Sequence, residues 1–240
     1  MFPYDSQLLA ILQTAPRAVA DVLATMKSID ALTIDGDGLK WFNWLYFQVT
    51  QSVEARVSAG GFDNPEFLSD LDVQFATLYF NALKNSLSNQ TLPDCWETLF
   101  AVRDQTALTR LQFAMAGINA HINHDLPIAI VSTCKSGGLT PQHNTTQYND
   151  YTSLNSTLDS LINLAKQTLN VRLLGEVLPD VSQLENMVAA WSVSAAREAA
   201  WNNSELLSHL SAEPLLTDGF LGNLDGMTTL VSKGLLVPIP

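Results

Sequence analysis

The 240-residue chain is short of charge, cysteine and histidine. Only 15% of its residues are charged, against roughly a quarter in an average soluble domain. It has 12 basic and 24 acidic residues, a formal net charge of −12. A surface of that sign repels phosphate backbones and anionic lipid, so neither nucleic acid nor a membrane is an expected partner. Two cysteines, Cys95 and Cys134, with no C-x-x-C spacing, exclude a disulfide framework and a zinc knuckle. No apolar run reaches the roughly 20 residues of a membrane span. The start, M-F-P-Y-D-S-Q, lacks the basic region and cleavage site of a secretion signal. These absences point to a cytoplasmic protein. Glycine-rich phosphate and dinucleotide patterns and the G-x-S-x-G elbow are missing too, so no cofactor is expected. The aspartate-rich D-D-x-x-D motif of terpene cyclases is also absent.

Apolar residues are plentiful, at 47% of the chain, enough for a sizeable core. Their spacing is helical nearly throughout, and alternating strand patterns are almost absent. Helical periodicity runs from Asp5 to about Asp30 with a break at Pro16, and from Leu39 to about Ala59 after the turn cluster D-G-D-G. Asn64-Pro65 opens a helix to about Leu87, and Pro93-Asp94 a short one. A central helix is expected from about Ala107 to Lys135, closed by Gly137-Gly138. A polar loop, Thr140 to Asn149, leads to a helix ending near Val171. Asp180-Val181-Ser182 caps a long helix to about Ser211, and a last one runs from about Thr217 to Lys233. With no linker in view, the expectation is a single all-α domain, a bundle of about seven to nine helices with a kinked central helix. Nothing in the sequence sets its oligomeric state.

The most informative stretch is N-A-H-I-N-H-D-L-P, Asn119 to Pro127, set in an otherwise apolar segment. Polar side chains buried there without partners would cost about 1–3 kcal/mol each, so they pair with one another or line a cavity. On a helix His121, His124 and Asp125 share one face, with Asn119 and Asn123 on nearly the opposite side. Pro127 removes an N–H and crowds the Asn123 carbonyl, which predicts a bend at the polar cluster. An aspartate four residues from a histidine orients the imidazole, half of an acid–base apparatus. The competing readings are a buried structural pair, or one metal held by His121, His124, Asp125 and a distant carboxylate.

Other segments could face this cluster. In W-S-V-S-A-A-R-E-A-A-W, Arg197 is placed to anchor Asp125 or a ligand anion and to stack on Trp201. In L-D-V-Q-F-A-T-L-Y-F, Asp72 sits in apolar company beside Tyr79. These two segments, with G-L-K-W-F-N-W-L-Y and L-Q-F-A-M-A-G-I-N-A-H-I-N-H-D-L-P, resemble the family called domain of unknown function 5995. The likeness spans roughly residues 30 to 210, and its N-A-H-I-N-x-D-L-P core is specific. It implies no activity. His124 falls at the variable position of that core, which shifts weight to His121 and Asp125, and the tail after Glu213 looks peculiar to this chain.

The first expectation is therefore a cofactor-independent acid–base enzyme of hydrolase, isomerase or cyclase type, acting on a small, largely apolar molecule. His121 and Asp125 would be catalytic; Asn119, Asn123, Arg197, Tyr79, Asp72 and Trp201 would bind substrate. The alternative is a non-catalytic helical domain that binds a ligand or partner.

Overall fold

The computed structural model describes residues 2–176 and 192–239. Of the described residues 72% are helical and none lies in a strand, so the fold is all-α. The first two helices, α1 (Asp5–Ile11) and α2 (Val19–Leu32), are parted by Pro16 as the sequence predicts. Next come α3 (Gly38–Ser58), α4 (Pro65–Leu87) and α5 (Asp94–Phe100). The central helix consists of α6 (Arg110–Ala120), a π-helical turn (His121–Asp125) and α7 (Leu126–Ser136). It is followed by α8 (Thr146–Ser153), α9 (Asn155–Thr168), α10 (Val193–Leu210) and α11 (Pro214–Leu235).

The central helix starts at a capping box. The Gln112 N–H donates to Thr109 Oγ1 at 3.0 Å and the Thr109 N–H to Gln112 Oε1 at 2.9 Å, which satisfies two otherwise orphaned donors. From Leu111 to Ala120 every residue is buried, so neighbours surround this helix on all sides. It crosses α3 at a close, reciprocal contact. A methyl group at Gly117 would overlap the Phe42 ring, and one at Gly38 would overlap the Phe113 ring. Each aromatic thus fills the place of a missing side chain on the opposite helix.

The D-G-D-G cluster is more than a turn. Asp37, wholly buried, caps α3 by accepting from the Leu39 N–H at 3.0 Å and receives both arms of the Arg103 guanidinium. The Tyr4 hydroxyl donates to it at 2.9 Å, and Arg103 also pairs with Asp5 at 3.1 Å. The start of the chain, the start of α3 and the segment after α5 are thereby tied together.

Several boundaries differ from the sequence reading. The helix expected to end near Val171 stops at Thr168. Its continuation runs extended beside the start of α6, where Arg110 N–H donates to Val171 O and Leu173 N–H to Leu108 O. The loop expected to run to Asn149 ends earlier, because Thr145 caps α8 through the Tyr148 N–H. Asn64 makes no side-chain cap for α4; Asp150 of α8 accepts from the Asp63 and Asn64 N–H groups instead, at 3.1 and 2.6 Å. The cap expected at Asp180 to Ser182 lies outside the described residues. Helix α11 begins at Pro214 and is an integral part of the bundle: Gln112 Nε2 donates to the Leu235 and Val237 carbonyls, and Asp225 accepts from the first N–H groups of α5.

The α3–α6 contact generates a test. Gly117→Ala gains about 1 kcal/mol of helix propensity, but it pushes into a fully buried ring, and overpacking of this kind costs about 1–3 kcal/mol. Net destabilisation, with a lower urea midpoint and unchanged steepness, is the expected outcome.

Candidate functional site

The π turn places one extra residue in the central helix: the Leu126 N–H reaches back five residues to the His121 carbonyl. The bend predicted from Pro127 takes this form. Pro127 itself sits in the first turn of α7, where a missing N–H is tolerated. The wider turn lets His121 and His124 approach the same carboxylate. Asp125, 2% exposed, accepts from His121 Nδ1 on Oδ2 at 2.9 Å and from His124 Nδ1 on Oδ1 at 2.7 Å. A third donor, Trp96 Nε1 of α5, reaches Oδ2 at 2.9 Å.

Burial works to raise the Asp125 pKa, but the hydrogen bonds from His121 and His124 prevail and the carboxyl titrates below its ordinary value. For His124 burial is likewise outweighed, by the hydrogen bond to Asp125, and its pKa rises. For His121 burial prevails and the pKa falls. The resulting arrangement is a carboxylate between His124, whose protonated form it favours, and His121, whose neutral form burial favours and whose Nδ1–H donates. His121 Nε2 then carries a bare lone pair, and it has no hydrogen-bond partner.

His121 is enclosed. Its ring stacks face to face on Phe75 with centroids 3.4 Å apart, meets Tyr46 edge-on at 4.5 Å, and lies near Phe42, Tyr79 and Trp96. It is 1% exposed. Both histidines spend Nδ1 on the carboxylate that would have to share a metal with them. Among the described residues no group of three or more histidine, cysteine, aspartate or glutamate side chains is arranged to hold a metal ion.

The other candidates separate into different places. Asn119 and Asn123 occupy the opposite side of the helix. Asn123 Nδ2 donates to Asn119 Oδ1, and Asn119 Nδ2 donates to Thr228 O and Ser232 Oγ of α11, all at 2.9 Å. Both amide N–H groups of Asn119, expected to hold a carbonyl or oxyanion, are therefore committed to α11. Together the two asparagines form the floor of a groove of about 380 Å³ walled by α10 and α11. Its lining adds Ala199 and Asn203 on one wall and Phe220, Asn223, Leu224, Met227 and Val231 on the other, with no charged side chain among them.

Arg197 does not reach Asp125 and stacks on Tyr151, 3.8 Å from the ring, rather than on Trp201. Its Nε donates to Asn155 Oδ1 and its Nη2 to the Tyr151 carbonyl, so its donors are taken by the end of α8 and the start of α9. Arg197 and Asp72 line one small cavity of about 40 Å³ with Tyr46 and Phe75. Burial, then the charge of Glu54, pushes Asp72 up to about 7 against the pull of Arg197, and its Oδ2 has no partner. Tyr79 is core, its hydroxyl 3.4 Å from Asn43 Oδ1. Trp201 is fully buried against Tyr148 and Tyr151, away from His121.

Reasoning from sequence missed Trp96, Phe75 and Tyr46, which complete the His121 environment from three other helices. It missed Asn203 and Asn223 in the groove as well. No local pattern marks them; only the packing of α10 and α11 brings them to Asn123. It also passed over His143, whose two ring nitrogens meet Glu205 at 2.7 Å and Glu198 at 3.0 Å.

The model of a family described as "Family of unknown function (DUF5995)" matches residues 19–238. The match runs through α11, so the tail after Glu213 is part of the family domain and not peculiar to this chain. No curated protein and no solved structure matches.

Two substitutions test this electrostatic picture. Asp125→Asn removes the counter-charge of His124 and puts an amide NH2 against one of the three donors that meet the carboxylate, so a loss of about 3–5 kcal/mol is expected in urea unfolding, and the His124 pKa, followed by NMR, should fall. Asp72 behaves in the opposite sense. Its folded carboxyl holds a proton up to about 7, against 3.8 ordinarily, so stability is lost as pH rises through that window. Asp72→Asn should stabilise the protein, and by more at about pH 8 than at about pH 4.

Proposed function

Since the chain belongs to the DUF5995 family, whose description carries no activity, we propose its function from the geometry of the central helix: a helical domain that binds a small, largely apolar, uncharged molecule in the groove between that helix, α10 and α11. The observation that carries this reading is the groove's floor. Asn123 uses Nδ2 on Asn119, while its amide oxygen accepts no hydrogen bond from the described residues. A ligand hydroxyl or N–H would supply the missing donor. The volume, about 380 Å³, falls in the range of roughly 300–1,000 Å³ usual for small-molecule sites. An apolar lining with a few convergent amides suits a neutral ligand, since in so acidic a chain an uncharged groove offers an anion nothing.

In this reading the His121–Asp125–His124 network holds the π turn in shape and thereby sets the position of Asn123 within it. One observation favours acid–base catalysis instead: the bare Nε2 of His121. Turnover there would require Phe75 and Tyr46 to leave the imidazole.

The test is a thermal-shift and native mass-spectrometry screen with small neutral alcohols and lactams, followed by titration of the hits. Ala199, exposed at the groove mouth, accepts a larger side chain without disturbing the core, so Ala199→Trp should abolish binding in a normally folded protein. Asn123→Leu should weaken it about tenfold, the worth of one hydrogen bond. His121→Asn, which can still donate to Asp125 and so keep the turn in shape, should change affinity less than Asn123→Leu does. Binding that survives Ala199→Trp, or no binding across the panel, would defeat the groove; turnover lost only in His121→Asn would favour the catalytic reading.

A further inference from the structure

Helix α11 turns an unusual face to solvent. Leu215 is 88% exposed, Met227 and Leu230 are each 73%, and Leu216 is 57%. At 100° per residue these side chains fall on one side, and Gly219, Gly222 and Gly226 lie among them. A methyl group added at any of the three glycines would meet nothing. Glycine is the poorest helix former after proline, and no contact with another described residue accounts for three of them in an exposed stretch of helix. What they offer is a shallow furrow flanked by aliphatic ridges, into which another helix can lie closely.

We propose that this face is the self-association surface of the protein, pairing α11 with α11 of a second copy in antiparallel, two-fold fashion. Charge selects that arrangement. Asp218 and Lys233, both exposed and neither in an ion pair with another described residue, flank the same edge near opposite ends of the face. An antiparallel two-fold sets each Asp218 beside the Lys233 of the other copy, whereas a parallel pairing sets lysine against lysine. The four large side chains expose on the order of 500 Å² per copy, so pairing buries on the order of 1,000 Å², the lower bound for a specific interface. A two-fold contact made by one self-complementary patch is also the commonest form of protein assembly. A lipid surface suits the face less well, because the chain's net charge is −12 and Lys233 is the one cation on this helix. The inference does not rest on the groove's ligand, although the two surfaces adjoin on α11 and share Asn223 and Met227.

Sedimentation velocity on the full chain at micromolar concentration should give a dimer. Gly226→Leu fills the furrow from an exposed position whose Cβ would meet no described residue, so helicity and thermal midpoint should hold or rise while dimerisation weakens at least tenfold. Leu230→Glu should do the same, and Lys233→Glu should weaken pairing in a way that adding Asp218→Lys restores. A wild-type monomer throughout the micromolar range overturns the proposal. So does a dimer indifferent to Gly226→Leu and Leu230→Glu, or a monomer that co-sediments with phosphatidylcholine vesicles.

Discussion

A carboxylate with no access to water must find its hydrogen-bond donors within the protein, and Asp125 finds three. Two come from its own helix and one from the indole of α5. An α-helical path would place His121 and Asp125 one above the other; the π turn adds the residue that brings His124 to the second oxygen. Alanine or leucine in these positions would leave the helix no reason to widen. The irregular backbone and the buried charge therefore depend on each other, and the aromatic enclosure of His121 keeps water from competing with either.

The two sides of the central helix differ in kind. On the histidine side α3, α4 and α5 supply rings at close range. Glycine makes the closest of these approaches feasible, with Phe42 seated over Gly117 and Phe113 over Gly38. On the asparagine side the neighbours are α10 and α11; α11 meets the helix through the Asn119 hydrogen bonds, and a groove remains between the three. One segment of nine residues thus contributes at once to the aromatic enclosure of His121 and to the groove walled by α10 and α11. A substitution on the dry side acts on the groove only through the shape of the turn.

Much of this was legible beforehand. Helical periodicity, the break at Pro16 and Pro65 at the first turn of α4 predict elements the fold contains, because each is a local effect of backbone sterics and side-chain spacing. The opposed placement of His121 and Asn119 is legible for the same reason, since helical geometry sets the angle between them. What failed were statements about partners. Asn64 has the chemistry of a cap, yet its side chain makes no cap bond, and the backbone entering α4 is held by Asp150 of another helix. Arg197 is a natural counter-ion for Asp125, yet α8 and α9 offer it closer oxygen acceptors.

The amino-acid sequence by itself determined the helices, the polar cluster in the central one and the sign of the surface, all properties of neighbours along the chain. Tertiary structure alone decided that the histidine face is closed and the asparagine face open. It decided, too, that Trp96 satisfies Asp125 and that α11 belongs to the bundle. These outcomes depend on which helices pack together, and packing is a competition among all the faces of the chain that no single segment records.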